Sequence, residues 1–247
     1  MSIDQPSTSE LDWRYRVATT LAKDAKLPTG RIAKAGSPAS LTTHIKHGRK
    51  IISIGDPSAS ALFLSQSYKS YTQAIQIHPF INELPTGEEN KVSAIVYDYL
   101  ECIMTAVIFA YSSVEAFANE EIPEDLLHEA QRRQSGILVA YQKNSVERYV
   151  SLDEKLSTIL PKAKGKPSPK GLNVWTEFVT LRRLRDRLVH LKSLDRAHSK
   201  VDNLYPKTIW SELLAPKQPN FPLIAKDMML HFFDEKHAPH WLRNCPF

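Results

Sequence analysis

Residues 88–121 constrain the fold more than any other segment. Val92, Ile95, Val96, Tyr99, Leu100, Ile103, Val107, Ala110, Val114, Phe117 and Ala118 recur there at helical spacing and trace a wide apolar face. One neighbour cannot cover such a face, so the spacing predicts the central helix of a domain. The stretch 92–111 is long enough to raise the question of a membrane span, but Asp98 and Glu101 interrupt it and point to a buried core helix.

A second strong pattern lies at 172–194. Val174, Phe178, Leu181, Leu184, Leu188, Leu191 and Leu194 step by three and four, which predicts a helix with one narrow core-facing stripe. Leu11, Tyr15, Ala18 and Leu21 suggest a first helix over 9–23. Next, 27–57 reads as an irregular connector, broken by Pro28, Gly30, Gly36, Pro38, Gly48 and Gly55, with room for a short strand at 50–54. Asp56-Pro57-Ser58 offers a helix start for 58–77. Further helices are expected at 123–133, 145–160, 204–214 and 222–235. No alternating strand pattern stands out, so the expected class is all-α. Three units are expected: an N-terminal helix and connector (1–56), a helical core (57–200) and C-terminal helices packed on it (201–247).

Hydrophobic residues make up 42% and charged residues 24% of the 247, a globular mixture that excludes a disordered chain. Two cysteines, Cys102 and Cys245, make neither a disulfide framework nor a cysteine-based metal site. A reducing, cytoplasmic setting is the expectation, and the opening residues carry no basic start followed by an apolar stretch. The formal charge of +5 suits an anionic partner such as nucleic acid.

The chemistry-bearing segment is LRRLRDRLVHLK, with Arg182, Arg183, Arg185, Asp186, Arg187, His190 and Lys192. At about 100 degrees per residue, Arg183, Asp186 and Arg187 flank His190 on the side opposite the leucine stripe. Asp186 and His190 stand four apart, so the carboxylate is placed to orient the imidazole and raise its basicity. The arginines beside them would supply donors for a phosphate. Those are the parts for phosphodiester cleavage without a metal. The bland alternative is a solvated helix face with ordinary ion pairs.

An arginine, a polar residue directly after it and a histidine a few positions on, late in a long amphipathic helix, resemble the signature of the HEPN superfamily (higher eukaryotes and prokaryotes nucleotide-binding). Here RDRLVH supplies Arg185, Asp186 and His190. The earlier AYSSVEAFANEEI, with Ser112, Ser113, Glu115 and Asn119, resembles that superfamily's small-residue helix with a following glutamate. The resemblance spans roughly 58–194. It implies an all-α HEPN-like helical bundle and a metal-independent endoribonuclease, in which His190 is the general acid/base, Arg185 stabilises charge and Asp186 supports. Glu115 and Asn119 would assist, with Glu115 pairing Arg185 across the bundle. Arg182, Arg183, Arg187 and Lys192 would bind RNA. The resemblance further implies a homodimer, no cofactor and a role as a bacterial toxin or phage-defence effector, with a neutralising antitoxin as a further partner. On an ideal helix Arg185 and His190 diverge by about 140 degrees, so they converge only through distortion or across a dimer. Arg183 lines up with His190 but is followed by Leu184. The alternative is a non-catalytic module of the same build that binds RNA or a protein.

Other groupings are weaker. His44 with His47, and His237 with His240, lack helical metal-ligand spacing and a third ligand. Lys162, Lys164, Lys166 and Lys170, in the loop after 160, read as a solvated surface or as a phosphate-contacting loop.

Overall fold

The computed structural model describes residues 12–26, 30, 32–83, 89–131, 138–196, 207–234 and 236–247. Six short strands come first: β1 (Ala18–Thr20), β2 (Ala25–Lys26), β3 (Ile32–Ala33), β4 (Pro38–Ser40), β5 (Thr42–His47) and β6 (Lys50–Gly55). Two long helices follow, α1 (Ala59–Asn82) and α2 (Glu89–Glu120), then the hairpin β7 (Leu127–Gln131) and β8 (Leu138–Gln142). The remainder is α3 (Lys143–Tyr149), α4 (Leu152–Glu154), a π-helical turn Lys155–Ile159, α5 (Leu160–Lys164), α6 (Asn173–Val189), a 3-10 turn Ser193–Arg196, α7 (Ile209–Leu213), α8 (Phe221–Leu230) and α9 (His240–Arg243). The protein is mostly helical. That bears out a helical fold, but beside the helices the described residues form four two-stranded antiparallel sheets, β1–β4, β2–β3, β5–β6 and β7–β8, which the all-α expectation did not include.

The core is organised around α2. Tyr99, Ile103, Ala106, Val107, Ala110, Val114, Phe117 and Ala118 are fully buried between α1, α6 and α8. Its partner α1 presents small residues, Ser60, Ala61, Ser67, Ser70 and Ala74, all buried, so the two backbones approach closely. The hydroxyl of Ser67 donates to the Ala106 carbonyl at 2.8 Å, which satisfies it inside the interface. Ser58 caps α1 by accepting from the Ala61 N–H, while Ser58 and Ser60 donate to Glu120 at the far end of α2. Burial pushes the Glu120 carboxyl up, against the pull of those hydroxyls. By length and composition Lys91–Glu120 is apolar enough to cross a membrane, with Asp98 and Glu101 exposed along it.

The expected helix over 9–23 is replaced, within its described part, by a turn and β1. Tyr15 bridges to Pro57 and Ala18–Thr20 pairs with Pro38–Ser40, so the partners lie about 20 to 40 residues away where a local pattern cannot register them. The connector is likewise more ordered than expected. Its β5–β6 hairpin pairs Thr42 with Gly55 through His47 with Lys50. The helix expected at 123–133 is corrected in the same way: Leu127–Gln131 is a strand paired with Leu138–Gln142.

The helix expected at 145–160 is interrupted. Pro161 lacks an N–H and its ring crowds the carbonyl four residues earlier, that of Ser157. The chain widens into the π-turn there, and the freed Ser157 carbonyl accepts from the Ser168 hydroxyl at 2.8 Å. Lys155, in the same turn, is buried and donates to Asn119 Oδ1 at 2.8 Å and to the Glu147 carbonyl at 2.9 Å. Burial holds its ammonium below the usual lysine range, with Glu115 and Glu147 opposing.

Helices α7 to α9 close the core. Tyr99 donates to the Leu213 carbonyl at 2.8 Å, and burial pushes its phenol up to about 12. Phe221, Ala225, Met228, Met229 and Trp241 are buried. Phe247 stacks on Tyr68 with centroids 3.9 Å apart and meets the edge of Trp13 at 6.5 Å. Expected helical residues 204–206 lie outside the described residues.

Candidate functional site

The site is built on α6, where Phe178, Leu181, Leu184 and Leu188 are buried as the stripe requires. The helix stops earlier than expected. Val189 is its last residue, His190 leaves helical geometry at φ −123° and ψ 67°, and Leu191 and Leu194 are exposed instead of joining the core. The cause is Asp195. Its buried carboxylate accepts from Arg187, from the Ile209 N–H at 2.8 Å and from the Lys192 N–H at 3.3 Å, which folds the chain back into the 3-10 turn. Burial opposes ionisation of Asp195, but Arg187 and the two N–H groups outweigh it, leaving the carboxyl below its ordinary value.

Arg182, Arg183, Asp186, Arg187, His190 and Lys192 line one groove of about 680 Å³ at the exposed end of α6. The sequence grouping is therefore a real surface feature. Its internal pairing differs from expectation. Asp186 accepts from Arg185 Nη1 at 2.8 Å rather than supporting the His190 imidazole, which sits where the chain leaves helical geometry. The His190 N–H still donates to the Asp186 carbonyl at 2.9 Å, while its exposed imidazole makes no hydrogen bond among the described residues.

Arg185 points the other way, its guanidinium carbon 3.6 Å from the centre of the Tyr111 ring on α2. Tyr111 in turn stacks on Phe178 at 6.0 Å, and burial pushes its phenol up. The expected pairing of Arg185 with Glu115 does not form: Asp186 and Tyr111 occupy the guanidinium, and Glu115 is exposed. Asn119 is engaged by Lys155 and takes no part in the groove.

The arginines expected to bind RNA are all in ion pairs. Arg182 is bound to Asp153, Arg183 to Glu212, and Arg187 to both Asp195 and Glu212. Arg183 holds the Glu212 carboxyl below its usual range. These pairs fasten α4 and α7 to the polar side of α6. Lys192 is exposed at the rim. The loop lysines are largely occupied as well, Lys164 with Glu121 and Lys166 with Asp234, while Lys170 lies 5.8 Å over Trp175.

Arg182 also forms the wall of a second cavity of about 610 Å³, shared with Tyr111, Asp153, Glu154, Ser157, Thr158 and Lys170. Behind it His128 Nε2 lies 3.0 Å from Glu154 Oε1. Sequence reading missed this pair, since a separation of 26 positions carries no spacing signal and the segment expected to be helical around His128 is a strand. Among the described residues no cluster of three His, Cys, Asp or Glu is arranged to hold a metal ion.

Comparison of the chain with protein-family models, with curated proteins and with solved structures gave no match.

Proposed function

We propose that the protein is a metal-independent endoribonuclease of HEPN type, built on a HEPN-like helical bundle and acting as a homodimer in the cytoplasm. The observation that carries this reading is the single groove in which His190 and Asp186 meet Arg182, Arg183, Arg187 and Lys192. The His190 imidazole, exposed and without a hydrogen-bond partner among the described residues, would take the proton of a ribose 2′-hydroxyl. The 2′-oxygen then attacks phosphorus, the 5′-oxygen leaves with a proton, and a cyclic phosphate end results. Cationic donors around the groove offset the charge that develops on the phosphate oxygens. Arg185 touches the groove through Asp186, so it acts on the carboxylate's position and charge unless a second subunit draws it out.

A toxin or phage-defence role, with an antitoxin as partner, is part of the same proposal. One observation favours a second reading, a non-catalytic HEPN-like module that binds RNA or a protein: Arg185 is held on Tyr111, away from the cavity that His190 lines.

Cleavage of a mixed RNA pool in EDTA separates the two. Ribonuclease action predicts cyclic phosphate ends and loss of cleavage in both His190→Ala and Arg185→Ala. Absence of cleavage by the wild type, or cleavage indifferent to His190→Ala, leaves the binding module.

A further inference from the structure

The charge imbalance of the molecule is concentrated away from α6. Residues 25–55 hold six of the 32 Lys and Arg but none of the 27 Asp and Glu, so the rest of the chain has 26 basic residues against 27 acidic ones. The formal charge of +5 thus originates in the strand-rich segment. Within it the β5–β6 hairpin is exposed at every position from 44 to 53. Gly48, at φ +60° where a side chain would strain the backbone, and Arg49 form the two-residue turn between His47 and Lys50.

Lys46, Arg49 and Lys50 crowd this tip. Unlike the arginines of α6, they have no ion-pair partner among the described residues. Three cations on one turn repel each other, and a polyanion relieves that repulsion.

Register decides which polyanion fits. Cross-strand pairs share a face, so Ile45–Ile52 and His47–Lys50 lie on one side, while Lys46–Ile51 and His44–Ser53 lie on the other. Isoleucines and cations are therefore mixed on both faces. An element lying in a lipid interface needs its apolar side chains on a single face. A two-stranded ribbon that enters or follows a phosphate-lined groove is served by cations on both.

The arm is also firmly rooted. The Tyr15 ring fills the space above Gly55, Arg16 Nε donates to Asp56 at 2.7 Å, and the Arg16 N–H donates to the Asp56 carbonyl at 2.8 Å. This fixes the ribbon beside the N-terminus of α1.

We propose that the β5–β6 hairpin is a nucleic-acid docking arm in which Lys46, Arg49 and Lys50 contact backbone phosphates. The arm requires no cleavage and stands apart from the ribonuclease reading. Its test uses the full chain carrying His190→Ala, with labelled single-stranded RNA and a labelled DNA duplex in EDTA as probes, titrated across a range of salt concentrations. The variant Lys46→Gln/Arg49→Gln/Lys50→Gln is compared with Lys207→Gln/Lys217→Gln/Lys236→Gln, which removes the same charge from exposed positions elsewhere. Circular dichroism checks that both remain folded.

Losing three phosphate contacts flattens the slope of log affinity against log salt by about 2 for a single strand or about 3 for a duplex. We expect that flattening, with a loss of about tenfold or more in affinity at low salt, in the arm variant alone. Equal weakening in both variants, an unchanged slope, or binding by the parent chain to phosphatidylserine vesicles but to neither nucleic acid overturns the proposal. Cleavage by the wild type bears only on the ribonuclease reading.

Discussion

The Arg185 guanidinium lies over the Tyr111 ring, its carbon 3.6 Å from the ring centre, and donates to the neighbouring Asp186 at 2.8 Å. A cation placed on an aromatic face and desolvated there contributes about 1–2 kcal/mol. Arg185→Met keeps the apolar stem and removes the charge, so it should destabilise the fold by about 1 kcal/mol in a denaturant titration. A variant as stable as the wild type would show that the stacking is energetically idle.

Asp195 ties the end of α6 to the start of α7. Asp195→Ala leaves the Arg187 charge half-buried without its nearest partner, and we expect a loss of about 3 kcal/mol. For a chain of this size that corresponds to a melting point lower by about 6–12 °C. Because the carboxyls of Asp195 and Glu212 both titrate below their ordinary values in the fold, their stabilisation is present above about pH 4. It is lost as pH falls through the folded values. An acid unfolding curve that is unmoved by Asp195→Ala contradicts this.

His240 predicts a second pH effect at a higher range. Its Nε2 is buried without a hydrogen-bond partner, and burial, then the Arg243 charge, lower its pKa against the pull of the Asp12 main chain. The neutral imidazole is what fits, so its stabilisation is present above about pH 6.5 and is lost as pH falls through the depressed folded value. The melting temperature of the wild type should drop between neutral and mildly acidic pH, and His240→Gln should flatten that drop.

Gly55 is held open by a neighbour. A Cβ at this position runs into the Tyr15 ring, so Gly55→Ala should cost about 1–3 kcal/mol, the usual range for overpacking. Adding Tyr15→Ala should recover part of the loss in a double-mutant cycle. Strict additivity of the two would mean that ring and backbone do not meet.

Helices α1, α2 and α6 were legible because each buries a face whose period the sequence repeats, with Ser58 marking the start of α1. What stayed hidden depends on partners far along the chain. Leu127–Gln131 contains good helix formers, yet it pairs with Leu138–Gln142, and pairing overrides propensity. The early stop of α6 is dictated by Asp195 and its contact with Ile209, which no spacing within Leu188–Leu194 announces. The site divides in the same way. Helical periodicity put Asp186, His190 and the arginines on one surface, but it carried no information about Glu212 or Asp153, the acids that occupy those arginines. Nor could it register the end of helical geometry at His190, or the Arg185 contact that takes up the Asp186 carboxylate.

The contact between Trp13 and Phe247 gives the molecule a timetable. The two rings belong to residues 234 positions apart, so at about 5–20 residues per second a ribosome makes the second roughly 10–50 s after the first. During that interval α1 and α2 are already complete and able to pair, while the Trp13 indole faces water or the translation machinery. The Trp13 ring thus waits for the final residues, whereas the strands beside it pair within residues 15–57 and can close long before Phe247 is made.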